Sequence, residues 1–480
     1  MNNIPLGLKV LILFILVFCI YHLFSNKLKF QNTILVIFST LFYSWFEWKF
    51  TLLIWGYIFV NYFSGIGIQK STIQNKKTFI LICAIGFNLG ILAIFKYYNF
   101  FSQSIIDALN SLGVSAHPFT IKLMLPVGLS FYSFQCISYV SDIYRKVTKA
   151  EEDLLIFSAF VLFFPQLMAG PIQRANNFIP QFHKPRKVSS EDINLGLWVI
   201  IWGIFNKVVI ADTCLPLGDL VFNGDFKNQG LIYLGTLAWG LGIYSDFYGY
   251  SLMAIGAGKL LGFNIIWNFN HPYGSKSIIE FWGRWHISFS QWLKDYLYNP
   301  TCLLLTRYAV TNNCGPISIL ILTALLPTMF TFFLSGVWHG STLNFMVFGI
   351  YHGIVFSFCQ IWRTVFKHIK LPQWLGWAIT HIAVFFGWYI FAVPANEWNF
   401  ISWLFEFNPV SDTLTKHILI PVSLFSTILF IIGRWQIRTN DMYAPARLRL
   451  APYSVLLAAL FLAIIAKYNS QAPEFVYFQF

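Results

Sequence analysis

ISILILTALLPTMFTFFLSGVWHG, residues 317–340, is the stretch that decides the fold. From Ile317 to Trp338 it carries no charge. Its length suits a helix crossing the hydrocarbon layer of a bilayer, which takes about 20 apolar residues. Working outward, apolar stretches recur near 5–24, 32–46, 51–68, 78–97, 123–140, 154–172, 193–212, 230–256, 343–362, 374–393, 415–433 and 452–466. A chain in lipid must satisfy its own backbone, so all of these read as helices. The first, Pro5 to Phe24 with Lys9 as its only charge, is too long for a signal-peptide core and reads as a span.

Composition points the same way. Of 480 residues 57% are hydrophobic, 19% aromatic and 11% charged, and the mean hydropathy is +0.62. Soluble domains carry about 25% charged residues. So few charges cannot cover a wet surface, and a soluble globular enzyme is excluded. The expected fold is an all-α polytopic membrane protein. About 11–13 transmembrane or re-entrant helices would surround a central chamber, with amphipathic interfacial helices beside them. No internal repeat or soluble domain interrupts the pattern, so residues 1–480 read as a single membrane-embedded domain.

Lys and Arg number 32 against 19 acids, a net charge of +13. In a membrane chain this excess means basic cytoplasmic loops rather than nucleic-acid binding. Lys27/Lys29, Lys70/Lys76/Lys77, Arg363/Lys367/Lys370 and Arg434/Arg438/Arg447/Arg449 mark that side, and the 213–229 and 394–414 loops read as external. Alternation fails once: 141–153 and 173–191 both look cytoplasmic although 154–172 lies between them. The breaks at Phe164-Pro165-Gln166 and Ala169-Gly170-Pro171 suggest that 154–172 dips in and returns, which places it against an interior chamber. The seven cysteines are scattered without a pairing pattern, so disulfide and zinc frameworks are not expected.

Residues 271–300 fail as a span yet are too apolar for a free loop. A single helix over 277–300 would align Phe281, Trp285, Phe289, Trp292 and Tyr296 in one stripe, and Glu280, Arg284, Ser288, Gln291 and Asp295 in a second. His286 falls on the apolar side, where burial disfavours the imidazolium and leaves a ring able to accept a proton. A second candidate, His339, closes the charge-free run between Gly336 and Gly340. An ionisable group inside a membrane segment is expensive and is a functional candidate by default. The next run carries Asn344 and Tyr351-His352-Gly353. In the 230–256 run Asp246 has no base within a helical turn, so its partner must come from elsewhere; a bundle-crossing bond is the ordinary role for such an acid. Leu125 to Gln135, with Pro126 and Gly128, reads as a broken helix beside a cavity. Zinc-protease, phosphate-loop and serine-elbow motifs are missing, and the histidines lack the acid or cysteine companions of a metal site, so no metal is expected.

Four blocks together resemble the membrane-bound O-acyltransferase family. They are Ser130-Phe131-Tyr132 with Asp142-Ile143-Tyr144-Arg145, Phe164-Pro165-Gln166 with Ala169-Gly170-Pro171-Ile172, Trp285-His286-Ile287-Ser288, and Gly336-Val337-Trp338-His339-Gly340. They run in family order over about residues 90–400, and are most like the bacterial branch typified by the membrane subunit of alginate O-acetyltransferase. The resemblance implies transfer of an acyl group, acetyl first, from a cytoplasmic thioester to hydroxyls of an exported polysaccharide. The family's active-site histidine maps onto His339 and a second, usually polar, position onto His286. Trp285, Trp338, Asn344, Asp246, Ser288 and Gln291 are the substrate-binding candidates beside them. No resident cofactor is implied; acetyl-coenzyme A or an acyl carrier protein would be the donor substrate. The implied partners are membrane lipids and an extracytoplasmic acetyltransferase of the SGNH type or the polysaccharide itself. The implied location is the bacterial cytoplasmic membrane. D-alanyl transfer to teichoic acid and peptidoglycan O-acylation are alternatives within the family. A non-catalytic glycan or acyl transporter is the alternative outside it, although the paired broken helices common in transporters are not apparent.

Overall fold

Long apolar runs between short polar joints leave the backbone one solution in lipid, and the computed structural model is helical throughout its regular elements. It describes residues 6–114, 125–167, 170–224, 228–366, 368–369, 371–394, 400–406 and 412–468. The helices are α1 (Leu6–Leu23), α2 (Leu28–Phe46), α3 (Trp48–Lys70), α4 (Gln74–Ser111), α5 (Leu129–Tyr144), α6 (Leu154–Leu162), α7 (Phe164–Leu167), α8 (Ala175–Phe182), α9 (Ser190–Ile204), α10 (Asp212–Asn223) and α11 (Gln229–Leu260). Then come α12 (Ile278–Arg284), α13 (Ile287–Leu293), α14 (Asn299–Thr311), α15 (Pro316–Leu320), α16 (Leu326–His339), α17 (Leu343–Val365), α18 (Gln373–Ala392), α19 (Phe400–Trp403), α20 (Asp412–Thr439) and α21 (Leu450–Lys467). Among the described residues eight helical stretches are long and apolar enough to cross a membrane. Helices α1, α2 and α11 also have spanning length, at 18, 19 and 32 residues. The protein is an all-α, multi-pass membrane protein. Parts of the expected 394–414 loop, together with Ala169, Lys367 and Lys370, lie outside the described residues.

The chain forms two compact units, Met1–Leu197 with Ala254–Ile266, and Trp198–Met253 with Trp267–Phe480. In the first, α6 has nine residues, about 14 Å at 1.5 Å each, half of what a bilayer core requires. Asp153 caps it, accepting from Leu155 N at 2.8 Å, and every residue from Ile156 to Leu162 is buried. The flanking basic segments 143–149 and 175–184 line one cleft with Lys77. The two segments that flank α6–α7 therefore come together in space. The break expected near 125–135 is also present. Gly128 has φ +73°, and a Cβ there would stand 2.0 Å from the Leu167 carbonyl oxygen, so only glycine lets α5 begin against the end of α7.

A π-helical turn over Phe205–Ala211 links the end of α9 to α10 in the second unit, within an apolar stretch over 190–223. In that unit, helices α16 and α17 cross at a pair of glycines. A Cβ on Gly336 would lie 2.3 Å from Phe345 O, and one on Gly349 would lie 2.4 Å from Phe332 O. Small residues let backbones approach this closely, the usual device where lipid removes the hydrophobic drive for helix association. Helix α18 joins them through Tyr351, whose hydroxyl donates to Ala383 O at 2.9 Å.

The single helix expected over 277–300 is corrected to a broken one. α12 ends at Arg284 and α13 begins at Ile287, with His286 between them at φ +43°. The cause is a neighbouring loop: Asn268 O accepts from Ile287 N at 2.8 Å, and Asn268 Oδ1 accepts from Ser288 N at 3.2 Å. Those amides bond to the loop instead of continuing the helix from α12. Phe281, Trp285, Phe289 and Trp292 remain buried, as the stripe pattern requires.

Candidate active site

His339 is the last residue of α16 and is only 7% exposed. Its ring lies 4.7 Å from Trp338, 5.1 Å from Phe391 and 5.8 Å from Phe348, centroid to centroid. A ring so enclosed faces protein, not lipid tails. It sits at the carbonyl end of its helix, where the partial negative charge of the helix dipole favours a cation.

His286 is buried on the same aromatic wall, 6.3 Å from Trp338, 5.0 Å from Phe289 and 4.6 Å from Phe247. Its Nδ1 lies 3.1 Å from Asn268 Oδ1. An amide oxygen only accepts, so Nδ1 carries the hydrogen and Nε2 the lone pair. Burial pushes the His286 pKa down to about 3, which keeps the ring neutral at pH 7. Asn268 is tied in turn to Ser251, donating to its Oγ at 3.2 Å.

Three histidines named from the sequence thus belong to one chain of rings. Trp338 touches both His286 and His339, and Phe348 touches both His339 and His352, the latter at 4.6 Å. His352 rests directly on Gly387, where a Cβ would lie 2.2 Å from its Nε2. Trp285 backs the wall from the side, 4.7 Å from Trp388, which lies 5.9 Å from Phe348.

The other candidates divide. Ser288 is buried with its hydroxyl donating to Asn268 Oδ1 at 2.9 Å, so it belongs to the His286 support. Asn344 sits at the start of α17, and its amide donates to Phe391 O and Val393 O at 3.3 Å, tying it to the end of α18. Gln291 is exposed on α13, away from the ring wall. Asp246 is fully buried and does find its partner far along the chain: Lys207 Nζ lies 2.8 Å from Asp246 Oδ1 and 2.8 Å from Asp212 Oδ1. A shared ammonium between two carboxylates is a clamp on α11 and the π turn, the expected structural role.

Sequence reasoning missed Asn268 and Lys207. Lys207 was visible as one of the few charges inside the apolar 193–212 run, at a depth where a charge demands a partner. Asn268 had a weaker signal, the turn-rich Asn268-Phe269-Asn270-His271-Pro272, which marks a loop but not its target.

Residues 145–395 match the model of MBOAT, the membrane-bound O-acyltransferase family. The chain is 35% identical over 408 residues to a probable alginate O-acetylase of Pseudomonas aeruginosa, covering 83% of this chain and 74% of that one. This chain belongs to the membrane-bound O-acyltransferase family. A peptidoglycan O-acetyltransferase of Helicobacter pylori is 30% identical over 79% of this acyltransferase and 74% of its own length. A teichoic acid D-alanyltransferase of Bacillus subtilis is 28% identical over 55% and 68%. The protein is a multi-pass membrane O-acyltransferase, and the family match takes in His286, His339, the ring wall and the Lys207–Asp246 clamp.

Proposed function

We propose that the protein transfers an acetyl group from a cytoplasmic thioester to hydroxyls of an exported polysaccharide, with His339 as general base. The observation that carries this is the position of His339: an imidazole at a span's end, enclosed by aromatic rings. A hydroxyl is a weak nucleophile. His339 would take its proton as the oxygen attacks the thioester carbonyl, a role worth typically ~10²–10⁴-fold. The C–S bond then breaks, and the leaving thiolate takes the proton back from the imidazolium, so the ring ends the cycle neutral. During the step the positive ring lies at the negative end of the α16 dipole, which stabilises it. His286 acts as a positioning residue: fixed by Asn268 in one tautomer, it holds Trp338 against His339.

Acetyl-coenzyme A or an acetylated carrier protein would supply the donor from the cytoplasm of a bacterial inner membrane. An extracytoplasmic acetyltransferase of the SGNH type would pass the group on where transfer to the glycan is not direct. The relatives' names support acetyl over other acyl groups, because the two of greater identity are an acetylase and an acetyltransferase. The test uses membranes containing wild type or His339→Ala with labelled acetyl thioester, and mass spectrometry of exported glycans. Wild type should label the glycan, and His339→Ala should fall by about 10²–10⁴-fold. Full transfer by folded His339→Ala would overturn the base assignment; labelled teichoic acid or peptidoglycan would redirect the acceptor.

A further inference from the structure

Away from the histidines, the first unit carries a cleft of about 960 Å³. Four lysines line it: Lys77 at the start of α4, Lys146 and Lys149 after α5, and Lys184 after α8. Among the described residues none of the four makes an ion pair or a side-chain hydrogen bond. The acid beside them is already engaged: Glu151 Oε2 lies 2.7 Å from His183 Nε2, and Glu151 Oε1 accepts from Asp153 N at 2.9 Å. One wall is apolar, built from Ile68, Ile143 and Ile179.

Lys146 has an unusual backbone setting. It occupies a left-handed position, φ +62°, closing the end of α5 where Val147 N bonds Asp142 O at 2.8 Å. Glycine is the residue that such a helix end ordinarily takes. A lysine there accepts backbone strain, and it lines the cleft. Four like charges in one cleft repel one another, and an anion bound among them removes that repulsion.

We propose that this cleft binds a phosphate group carried on an apolar or extended chain, with the lysines on the phosphate and the isoleucine wall beside the chain. Ammonium groups bind phosphate as point charges, and basic pockets between membrane helices on the cytoplasmic side suit phosphate head groups. Two sources share this chemistry: an anionic phospholipid of the surrounding leaflet, and a soluble phosphorylated thioester such as coenzyme A. The proposal stands apart from the role of His339.

The experiment places full-length protein in nanodiscs of pure phosphatidylcholine, with phosphatidylglycerol or coenzyme A added in separate arms, and measures retention by native mass spectrometry. The variant is Lys146→Gly, Lys149→Ser, Lys184→Ser. Lys146→Gly relieves the left-handed strain, and the three side chains hold no other bond, so the fold survives; thermal unfolding confirms it. At about fivefold for each lysine near the surface, affinity should fall on the order of a hundredfold in the triple variant. Phosphatidylglycerol retained by wild type and lost by the variant supports a lipid occupant. Coenzyme A retained and lost in the same way supports the soluble one. Retention of neither by wild type, or equal retention by the variant, overturns the site. His339→Ala should bind like wild type in both arms, so a failure of the catalytic reading leaves this test intact.

Discussion

Replacing Gly336 by alanine forces a methyl group into the backbone of α17. The new Cβ would stand 2.3 Å from Phe345 O and 3.0 Å from Gly349 Cα. A carbon and a carbonyl oxygen rest at about 3.3–3.6 Å, so the two helices must part by roughly 1 Å. The obstacle is main chain, not the end of a side chain that could swing away. His339 follows three residues later on the same helix face and moves with that displacement. Its contacts with Phe348 and Phe345, both on α17, loosen in proportion. A misplacement of about 1 Å can cost ~10²-fold in rate, and overpacking costs about 1–3 kcal/mol of stability. The assay is acetyl transfer from labelled thioester by purified protein in nanodiscs, with thermal unfolding in parallel. Gly283→Ala is the control, because a Cβ there meets nothing within 4 Å, and both rate and stability should stay at wild-type values. A Gly336→Ala protein with kcat within threefold of wild type would show that the glycine crossing does not set the position of His339.

Three further outcomes are expected. Lys207→Met strands Asp212 and Asp246 as buried, unneutralised acids and should cost about 3–5 kcal/mol, read as loss of monodisperse protein; adding Asp212→Asn and Asp246→Asn should restore most of it, and a stable single variant would refute the clamp. Because the folded His286 pKa is depressed to about 3, its contribution is fully present above pH 6.5 and is lost as pH falls toward 3. The loss comes to about 2 kcal/mol by pH 5, so wild type should lose thermal stability between pH 7 and pH 5 more steeply than His286→Asn, and equal slopes would refute this. His271, depressed to about 4 by burial and then by Arg284, acts in the same direction in both proteins and cancels in the comparison. Asn268→Ala removes the acceptor of His286 Nδ1 and of Ser288 N and Oγ, and should lower stability by about 1–3 kcal/mol; an unchanged melting temperature would show the loop is not what fixes the histidine.

Much of this was legible in the sequence, because lipid leaves few choices. Runs such as 317–338 and 343–362 became α15–α16 and α17 almost residue for residue, since length and absence of charge decide a span. The interruption of 154–172, where α6 stops at Leu162 and α7 runs only from Phe164 to Leu167, was legible from Phe164-Pro165-Gln166 and from a clash of loop charge. What failed was local. The period of 281–296 fits one helix, and nothing in that period announces that Asn268 intercepts the amides of Ile287 and Ser288. Asp246 was correctly read as needing a distant partner, yet a one-dimensional pattern does not say which base crosses its helix. Gly336 and Gly340 were read as making room around His339; for Gly336 the occupant of that room is the neighbouring backbone.

The left-handed residue between α12 and α13 has a consequence for how this enzyme can be dissected. Most catalytic-site substitutions confound chemistry with shape, because the replacement disturbs the scaffold it leaves behind. At position 286 the main chain adopts a bend that asparagine or glycine tolerates at least as readily as the native imidazole does. Exchanging the ring there removes its contacts with Trp338 and Phe247 while sparing the corner that holds it, so a loss of activity traces to the side chain and not to a refolded bend.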